Sequence, residues 1–372
     1  MHRVLVLGAG KIGRAIAMFL QSAGDFDVLV ADADKAALTK LQGMVPVETT
    51  LADAGDPVQL RALMRDRDSV ISALVFSANP AVAAAAVETS TSYFDLTEDV
   101  ATTRAVRQYA ERCPETCILM PQCGLAPGFI SVAANNLMQQ FQSLDSVHMR
   151  VGAMPQFPSN ALKYNLTWST DGLINEYCNP CAAIHEGRLL EVLPLEGYEE
   201  FLLDGVRYEA FNTSGGLGSL CETMQGKVRE LNYRTIRYLG HCELMRFLLN
   251  DLRLSARRSL VKEILESAVP VTYQDVVITF VNVSGMKNGQ FMQVTDARKI
   301  YHQDIAGQHW SAIQVTTAAG ICAAVDLHAQ GKLPKRGFVR QEDIVFDDFI
   351  QNRFGRYYAG SDTSSDGSAR ST

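Results

Sequence analysis

The first twenty residues constrain the fold more than any other segment of the chain. An apolar strand, Val4 to Leu7, runs into Gly8-Ala9-Gly10-Lys11-Ile12-Gly13 and then into a helix-prone stretch, Arg14 to Leu20. Strand, glycine-rich turn and helix in that order make a phosphate-binding unit. Gly8 allows the tight turn, Gly10 lets the backbone approach a pyrophosphate, and Gly13 lets the helix pack closely on the strand. Lys11 and Ile12 complete the turn, and the helix N-terminus offers free N–H groups and a partial positive charge to the phosphates. A second strand, Phe26 to Ala31, ends in Asp32, nineteen residues past Gly13. A carboxylate there accepts hydrogen bonds from a ribose 2′-OH and repels a 2′-phosphate, so the expected cofactor is NAD rather than NADP.

From Val4 to Met120 strand-like runs alternate with helical patterns. The strands are Val4–Leu7, Phe26–Ala31, Val45–Glu48, Ser69–Ala73, Ser92–Leu96 and Cys117–Met120, with helices over Lys11–Ser22, Lys35–Gly43, Val58–Arg67, Ala81–Ser90 and Thr102–Arg112 between them. That alternation predicts an α/β fold with an N-terminal Rossmann domain, a doubly wound parallel sheet, over residues 1–125. After Cys123 the grammar changes. A helix, Phe129 to Phe141, precedes strand-like segments at Ser146–Val151, Leu162–Ser169, Val276–Val283 and Gln290–Asp296, with helices expected over Arg229–Phe247 and Leu260–Ala268. Residues 126–310 therefore read as an α+β substrate and dimerisation domain. Residues 311–358, opening with an Ala-rich helix, return to the first domain; 359–372, rich in Ser, Gly and Asp, read as a disordered tail.

Composition narrows the partners. The protein has 34 basic and 41 acidic residues, a net charge of −7, and no basic stripe, so neither nucleic acid nor an anionic membrane is an expected partner. Its longest apolar runs fall short of the roughly 18 residues that span a bilayer. The first strand begins at once, which leaves no signal peptide to expect, and a cytoplasmic location follows. Eight cysteines without a secretory signal favour reduced thiols. Cys178 and Cys181 form a CxxC, but no second CxxC or HxxxH completes a zinc set, and Pro180 places the pair in a turn; structural thiols and no metal are expected.

Four stretches resemble the saccharopine dehydrogenase-like family, and within it the lysine 6-dehydrogenases: GAGKIGRAIA from Gly8, CGLAPGF at Cys123–Phe129, KYNLTWSTDGLINEY at Lys163–Tyr177, and RYLGH at Arg237–His241. The resemblance covers roughly Met1 to Tyr358. It implies oxidation or formation of a C–N bond beside an amino acid, with the substrate held between two domains. Saccharopine-forming members carry an acid in a G-L-D-P-G loop and a cysteine in a C-G-G-L-P strand end. Here those segments read Gly124-Leu125-Ala126-Pro127-Gly128 and Val151-Gly152-Ala153-Met154-Pro155. The departure counts against saccharopine chemistry, and the resemblance to lysine 6-dehydrogenases implies hydride transfer from C6 of L-lysine to NAD, hydrolysis of the imine, and a semialdehyde that cyclises to a piperideine carboxylate. The alternatives are a saccharopine-type opine dehydrogenase and a non-catalytic NAD(H)-binding regulator.

The hydride leaves only from a neutral amine, so a proton acceptor is needed. His241 is the first candidate on the family match, against a core histidine satisfied by a backbone carbonyl. Arg237, four residues earlier, shares its face if the segment is helical, and its guanidinium suits an amino-acid carboxylate. Tyr93 and Asp95 alternate at the end of the fifth strand, Tyr93 to hydrogen-bond the amine and Asp95 to hold its cationic form or orient water, against Asp95 as a helix cap, for which Thr97 or Asp99 serve better. Ser214, ahead of Gly215 and Gly216, is similar to a substrate-side loop of the family. For the cofactor, Asp53 would meet the adenine side and Ala73 and Leu74 the ribose and nicotinamide through their backbone. Gly124 to Gly128, with Ala126, would form the hinge and the floor under the nicotinamide. Trp168 and Trp310 are expected to pack at the domain junction, and a homodimer through the second domain is expected from its edge strands.

Overall fold

The structure, a computed structural model, describes residues 1–359. The expected tail, beyond Ala359, lies outside the described residues. The first half builds β1 (His2–Leu7), α1 (Lys11–Ala23), β2 (Phe26–Asp32), α2 (Lys35–Gln42), β3 (Glu48–Leu51), α3 (Pro57–Met64), β4 (Ser69–Ser72), α4 (Asn79–Thr89), β5 (Ser92–Asp95), α5 (Val100–Tyr109) and β6 (Ile118–Met120). Asp34, Asp56 and Asp99 each accept a backbone N–H at the start of α2, α3 and α5, which fixes where those helices begin. The third strand starts three residues later than expected. Pro46 has no N–H for the ladder, so pairing with β2 begins only at Glu48.

The second half comprises α6 (Phe129–Met138), β7 (Ser143–Pro155), α7 (Thr170–Cys178), β8 (Cys181–His185), β9 (Arg188–Val192), β10 (Glu199–Leu203), β11 (Val206–Asn212), α8 (Leu220–Met224), β12 (Glu230–Tyr238), α9 (His241–Arg246), α10 (Arg258–Ala268), β13 (Asp275–Lys287) and β14 (Gln290–Tyr301). A small hairpin, β15 (Gln303–Ile305) and β16 (Gln308–Trp310), leads to α11 (Ala312–Ala329), β17 (Gly337–Phe338) and α12 (Phe346–Gln351). Two expectations fail here. Arg229–Phe247 is not one helix: Glu230–Tyr238 is a central strand whose buried and partly buried residues alternate, and Gly240, at φ +97°, turns the backbone into the short helix α9. Leu162–Ser169 is not a strand. Tyr164 and Leu166 are buried against α7, α9 and α10, and the segment keeps only an isolated bridge from Leu166 to Val271.

The first sheet is parallel and seven-stranded, in the order β17-β6-β5-β4-β1-β2-β3. The strand order reverses between β1 and β4, so the crevice beyond their carboxyl ends is where this topology binds ligands. The second sheet is mixed, running β10-β11-β12-β7-β13-β14 with β8 and β9 attached at β12; only β12 and β7 run parallel. The C-terminal segment ties the halves together. Gln314 of α11 donates to the carbonyl of Lys11 (3.0 Å), Asp275 of β13 accepts from the N–H groups of Ala312 and Ile313 (2.5 and 3.1 Å), and β17 joins β6. Helix α11 is long and apolar enough to cross a membrane by composition, but 83% of it is buried in the fold, where it forms core between the two sheets.

Candidate active site

The strand ends of the parallel sheet face the mixed sheet across a cleft of about 680 Å³. One wall is Ile12, Ala73, Leu74, Leu96, Glu98 and Gly124 to Pro127. The other is Val151 and Ala153 of β7, Tyr233, Thr235 and Arg237 of β12, and Trp168, Asn175 and Glu176 around α7. Of the expected cofactor contacts, Ile12, Ala73, Leu74, Gly124 and Ala126 line this cleft. Gly8, Gly10, Lys11 and Gly13 form the adjoining turn, and Asp53 does not reach the cleft: it is exposed and accepts from Gly55 N (2.8 Å), closing its own loop.

The turn fits a dinucleotide. Gly8 has φ +105°, and a Cβ there would lie 2.7 Å from Ala73 O; a Cβ on Gly13 would lie 1.9 Å from Gly8 O. A Cβ on Gly10 would meet nothing within 4 Å, so that position faces open space, and the N-terminus of α1 has no side-chain cap. Asp32 sits at the end of β2, where Oδ2 accepts from Ala9 N (2.6 Å) and Oδ1 from Asp34 N (2.7 Å). Its carboxylate is thereby aimed across the mouth of the turn.

Tyr93 and Asp95 do not line the cleft. Both are fully buried, and Tyr93 donates to Asp95 Oδ2 at 2.5 Å. Asn79 donates to the same oxygen, while Thr97 N and Gln122 N donate to Oδ1 at 2.9 and 2.8 Å. Asp95 is spent pinning the end of β5 to the segment leaving β6, and burial raises its carboxyl above the usual range. The expectation that it holds an amine is corrected on that ground. Asp99, not Asp95, caps α5.

Arg237 and His241 meet without sharing a helix, because β12 and the start of α9 bracket the ring of Tyr177. Arg237 is 2% exposed; its Nε donates to Tyr177 Oη (2.9 Å) and another N–H to Ile236 O (2.8 Å), and the guanidinium lies 5.1 Å from the Tyr164 ring centroid. It forms no ion pair among the described residues, and it lines the cleft. A guanidinium so placed has N–H groups to spare for a carboxylate. His241 lies behind it, off the cleft. Its Nε2 bonds Tyr177 Oη (3.0 Å) and its Nδ1 donates to Leu162 O (2.9 Å). Burial, and then the Arg237 charge, push its pKa down to about 3, so it is neutral at working pH. The histidine expected to handle protons is instead the core histidine satisfied by a carbonyl, and it holds Tyr177.

Ser214 is also off the cleft. Its N–H donates to Glu176 O (3.0 Å) and its hydroxyl to Asn175 O (3.2 Å). The next residue, Gly215 (φ +88°), approaches Glu98 so closely that a Cβ would lie 2.4 Å from Glu98 O. This turn therefore holds together two segments from opposite walls, each carrying a glutamate. Glu176, 7% exposed, and Glu98 both line the cleft, and Oε1 of Glu98 is buried without a hydrogen-bond partner. Burial pushes Glu176 up to about 8, with Arg237 opposing and Glu98 adding to the rise; burial also raises Glu98. Arg258 and Lys262 of α10 line the cleft further out, Lys262 paired with Asp171 at 2.6 Å.

Sequence reasoning missed Glu98, Glu176, Tyr177, Arg258 and Lys262. A signal existed for one of them: from Leu173 to Tyr177 the helix is buried all round, so Glu176, with Asn175 beside it among apolar neighbours, had to face something other than water. Trp168 lines the cleft and Trp310 is sealed in the core. Cys178 ends α7 and Cys181 opens β8; all eight cysteines are free thiols.

Comparisons with known proteins agree with this fold. Residues 4–119 match a family model described as the saccharopine dehydrogenase NADP binding domain, and residues 124–356 one described as the saccharopine dehydrogenase C-terminal domain. The sequence is 22% identical over 311 residues to the mitochondrial alpha-aminoadipic semialdehyde synthase of Mus musculus, covering 76% of this chain and 31% of that protein. It is 26% identical over 202 residues to a saccharopine dehydrogenase, NADP(+) and L-glutamate-forming, of Saccharomyces cerevisiae, covering 50% of this chain and 43% of that one. The protein thus spans about a third of the length of the mouse one. Among solved structures, apo saccharopine dehydrogenase (L-Glu forming) from Saccharomyces cerevisiae has the same fold, with a TM-score of 0.78 over 94% of this chain and 96% of that one, at 17% identity.

Proposed function

This chain belongs to the saccharopine dehydrogenase family, and on that premise we propose that it is an NAD-dependent amino-acid dehydrogenase. It oxidises the C–N bond of a side-chain amine, with L-lysine at C6 as the preferred substrate and the semialdehyde plus ammonia as products. The observation that carries this reading is the buried Arg237 guanidinium, free of any ion pair among the described residues, at the base of a cleft that opens on the strand ends of the nucleotide-binding sheet. Arg237 would take the α-carboxylate, and Glu98 and Glu176 offer carboxyl oxygens as acceptors for the ammonium at the other end of the substrate. Leu74, Leu96, Pro127 and Trp168 supply the apolar walls that keep bulk water from the reacting carbon. The bound nucleotide supplies the hydride acceptor. Asp32 supports NAD, because its carboxylate would face a ribose hydroxyl and repel a phosphate.

A saccharopine-type reading is favoured by one feature. Arg258 and Lys262 add two cations to the cleft, which suits a secondary amine carrying extra carboxylates. Against it, Ala126 and Val151 both line the cleft at the positions where saccharopine-forming members carry an acid and a cysteine, so the missing groups are missing from the site itself. The test is nucleotide reduction by the purified protein with NAD or NADP and with L-lysine, ornithine or saccharopine. Lysine-dependent NADH is the expected outcome. Turnover of saccharopine alone would replace the substrate reading, and turnover with NADP alone would replace the cofactor reading.

A further inference from the structure

We propose that Glu176 is the group that takes the proton from the substrate's ammonium, with Glu98 as the neighbouring carboxyl that tunes it; the role rests on the amine-oxidation reading above. Glu176 is 7% exposed, lines the cleft, and its carboxyl accepts no hydrogen bond among the described residues. Glu98 reaches the same cleft from the opposite wall with a buried oxygen that also has no partner. An unpartnered buried acceptor such as Glu98 Oε1 is costly, and a fold keeps it where a ligand brings a donor, while the oxygens of Glu176 stay accessible from the cleft. An ammonium brings three donors and the charge that two carboxyls lack. The placement is enforced by backbone: Ser214 N holds the carbonyl of Glu176 while Gly215, which has no room for a Cβ, lies against the backbone of Glu98.

The other candidates are occupied. Asp95 has its oxygens taken by Tyr93, Asn79, Thr97 and Gln122, and His241 is sealed behind Tyr177. The groups acting on Glu176 are Glu98 across the cleft, Arg237 and Tyr233 of β12 on its own wall, Tyr177 on its own helix, Tyr164 on the loop before it, and Cys181 on β8. Burial raises the three phenols and the thiol, which keeps them neutral, so only Glu98 and Arg237 set the balance. Arg237 favours the carboxylate and Glu98 the acid, and burial leaves the proton affinity near 8, close to where an amine must be deprotonated.

The carboxylate of Glu176 takes one proton from R–CH2–NH3⁺, leaving R–CH2–NH2 and a carboxylic acid. The nitrogen lone pair then forms the C=N bond as the hydride departs with its electron pair to NAD, giving R–CH=NH2⁺. Water adds to that carbon, the C–N bond breaks, ammonium and the aldehyde leave, and Glu176 returns its proton to solvent.

The experiment compares wild type, E176Q, E176A and E98Q in three readouts: NADH binding, the infrared band of the carboxylic acid as pH is raised, and the pH profile of lysine oxidation. All variants are expected to bind NADH as wild type does. Wild type should lose a carboxylic acid band with a midpoint of about 8 that E176Q lacks. In wild type kcat/KM should rise with pH through that range. E176Q should lose the rising limb and about 10²- to 10⁴-fold in kcat with little change in KM. Formate, supplied as a free carboxylate, should restore part of the rate of E176A, which a merely structural role would not allow. E98Q should move the limb to lower pH. An active wild type beside an E176Q that keeps its rate and pH limb overturns the role of Glu176 alone. A wild type that oxidises none of the amines overturns the functional reading and this role with it.

Discussion

At the scale of single residues, the site depends on one buried cation and the ring that holds it. Arg237, Tyr177 and His241 form a run of hydrogen bonds in which the imidazole, fixed by Leu162 O, orients the phenol, and the phenol orients Nε of the guanidinium. Replacing Arg237 by Gln removes a charged partner for the substrate carboxylate; KM for L-lysine is expected to rise roughly 10- to 100-fold with NADH affinity unchanged. An unchanged KM in steady-state assays would show that the carboxylate binds elsewhere. His241 leaves a signature in stability instead. Its pKa falls from 6.5 in the unfolded state to about 3 in the fold. Between those values the unfolded state binds the extra proton, so stability drops as pH falls through that window. The H241Q variant should show a flatter loss of stability in urea titrations between about pH 4 and 6.5.

At the scale of elements, the glycine turn and the seat of α11 are the most exacting. A methyl on Gly13 would lie 1.9 Å from Gly8 O, so G13A forces strand and helix apart at the phosphate site. The expected result is loss of NADH binding measured by fluorescence, together with about 1–3 kcal/mol of stability. The start of α11 rests on Asp275, whose carboxylate takes two backbone N–H groups in a buried setting. D275A strands both donors and should lower stability by about 1–3 kcal/mol in chemical denaturation. Elements were legible where their periodicity was local and unambiguous. In β12, Leu231, Tyr233 and Thr235 alternate with Asn232 and Arg234, a strand pattern, but the following RYLGH segment extended the apparent helix backwards across Gly240. The pairing partners that decide the matter, β11 and β7, come from other stretches of the sequence, and β7 lies far upstream.

At the scale of the whole molecule, the C-terminal segment crosses between the sheets and makes them one body. Its long helix spends its apolar surface on the core between them, and β17 extends the parallel sheet beyond β6. The far side of the mixed sheet ends differently. β14 is an edge strand with Phe291 at 64% and Met292 at 38% exposure, and Leu202 of β10 at the other edge is 66% exposed. Open edges with apolar side chains favour pairing between copies, so sedimentation is expected to give a dimer that F291K shifts towards monomer. A wild type that sediments as a monomer at every concentration would rule that out.

The order of the first 120 residues determined the parallel sheet, the glycine turn and the acid at the end of β2, because each is a short-range pattern that dictates its own geometry. The motif CGLAPGF likewise marked a wall of the cleft. Burial, and hence chemistry, was decided only by tertiary structure. Asp95 and His241 carry side chains suited to proton transfer, but packing supplied each with partners and closed it off. Glu98 and Glu176 lie 78 residues apart in the sequence, and nothing local distinguishes them from surface acids. The turn at Ser214 and Gly215 brings their segments to one cleft, and desolvation there raises both carboxyls above the usual range.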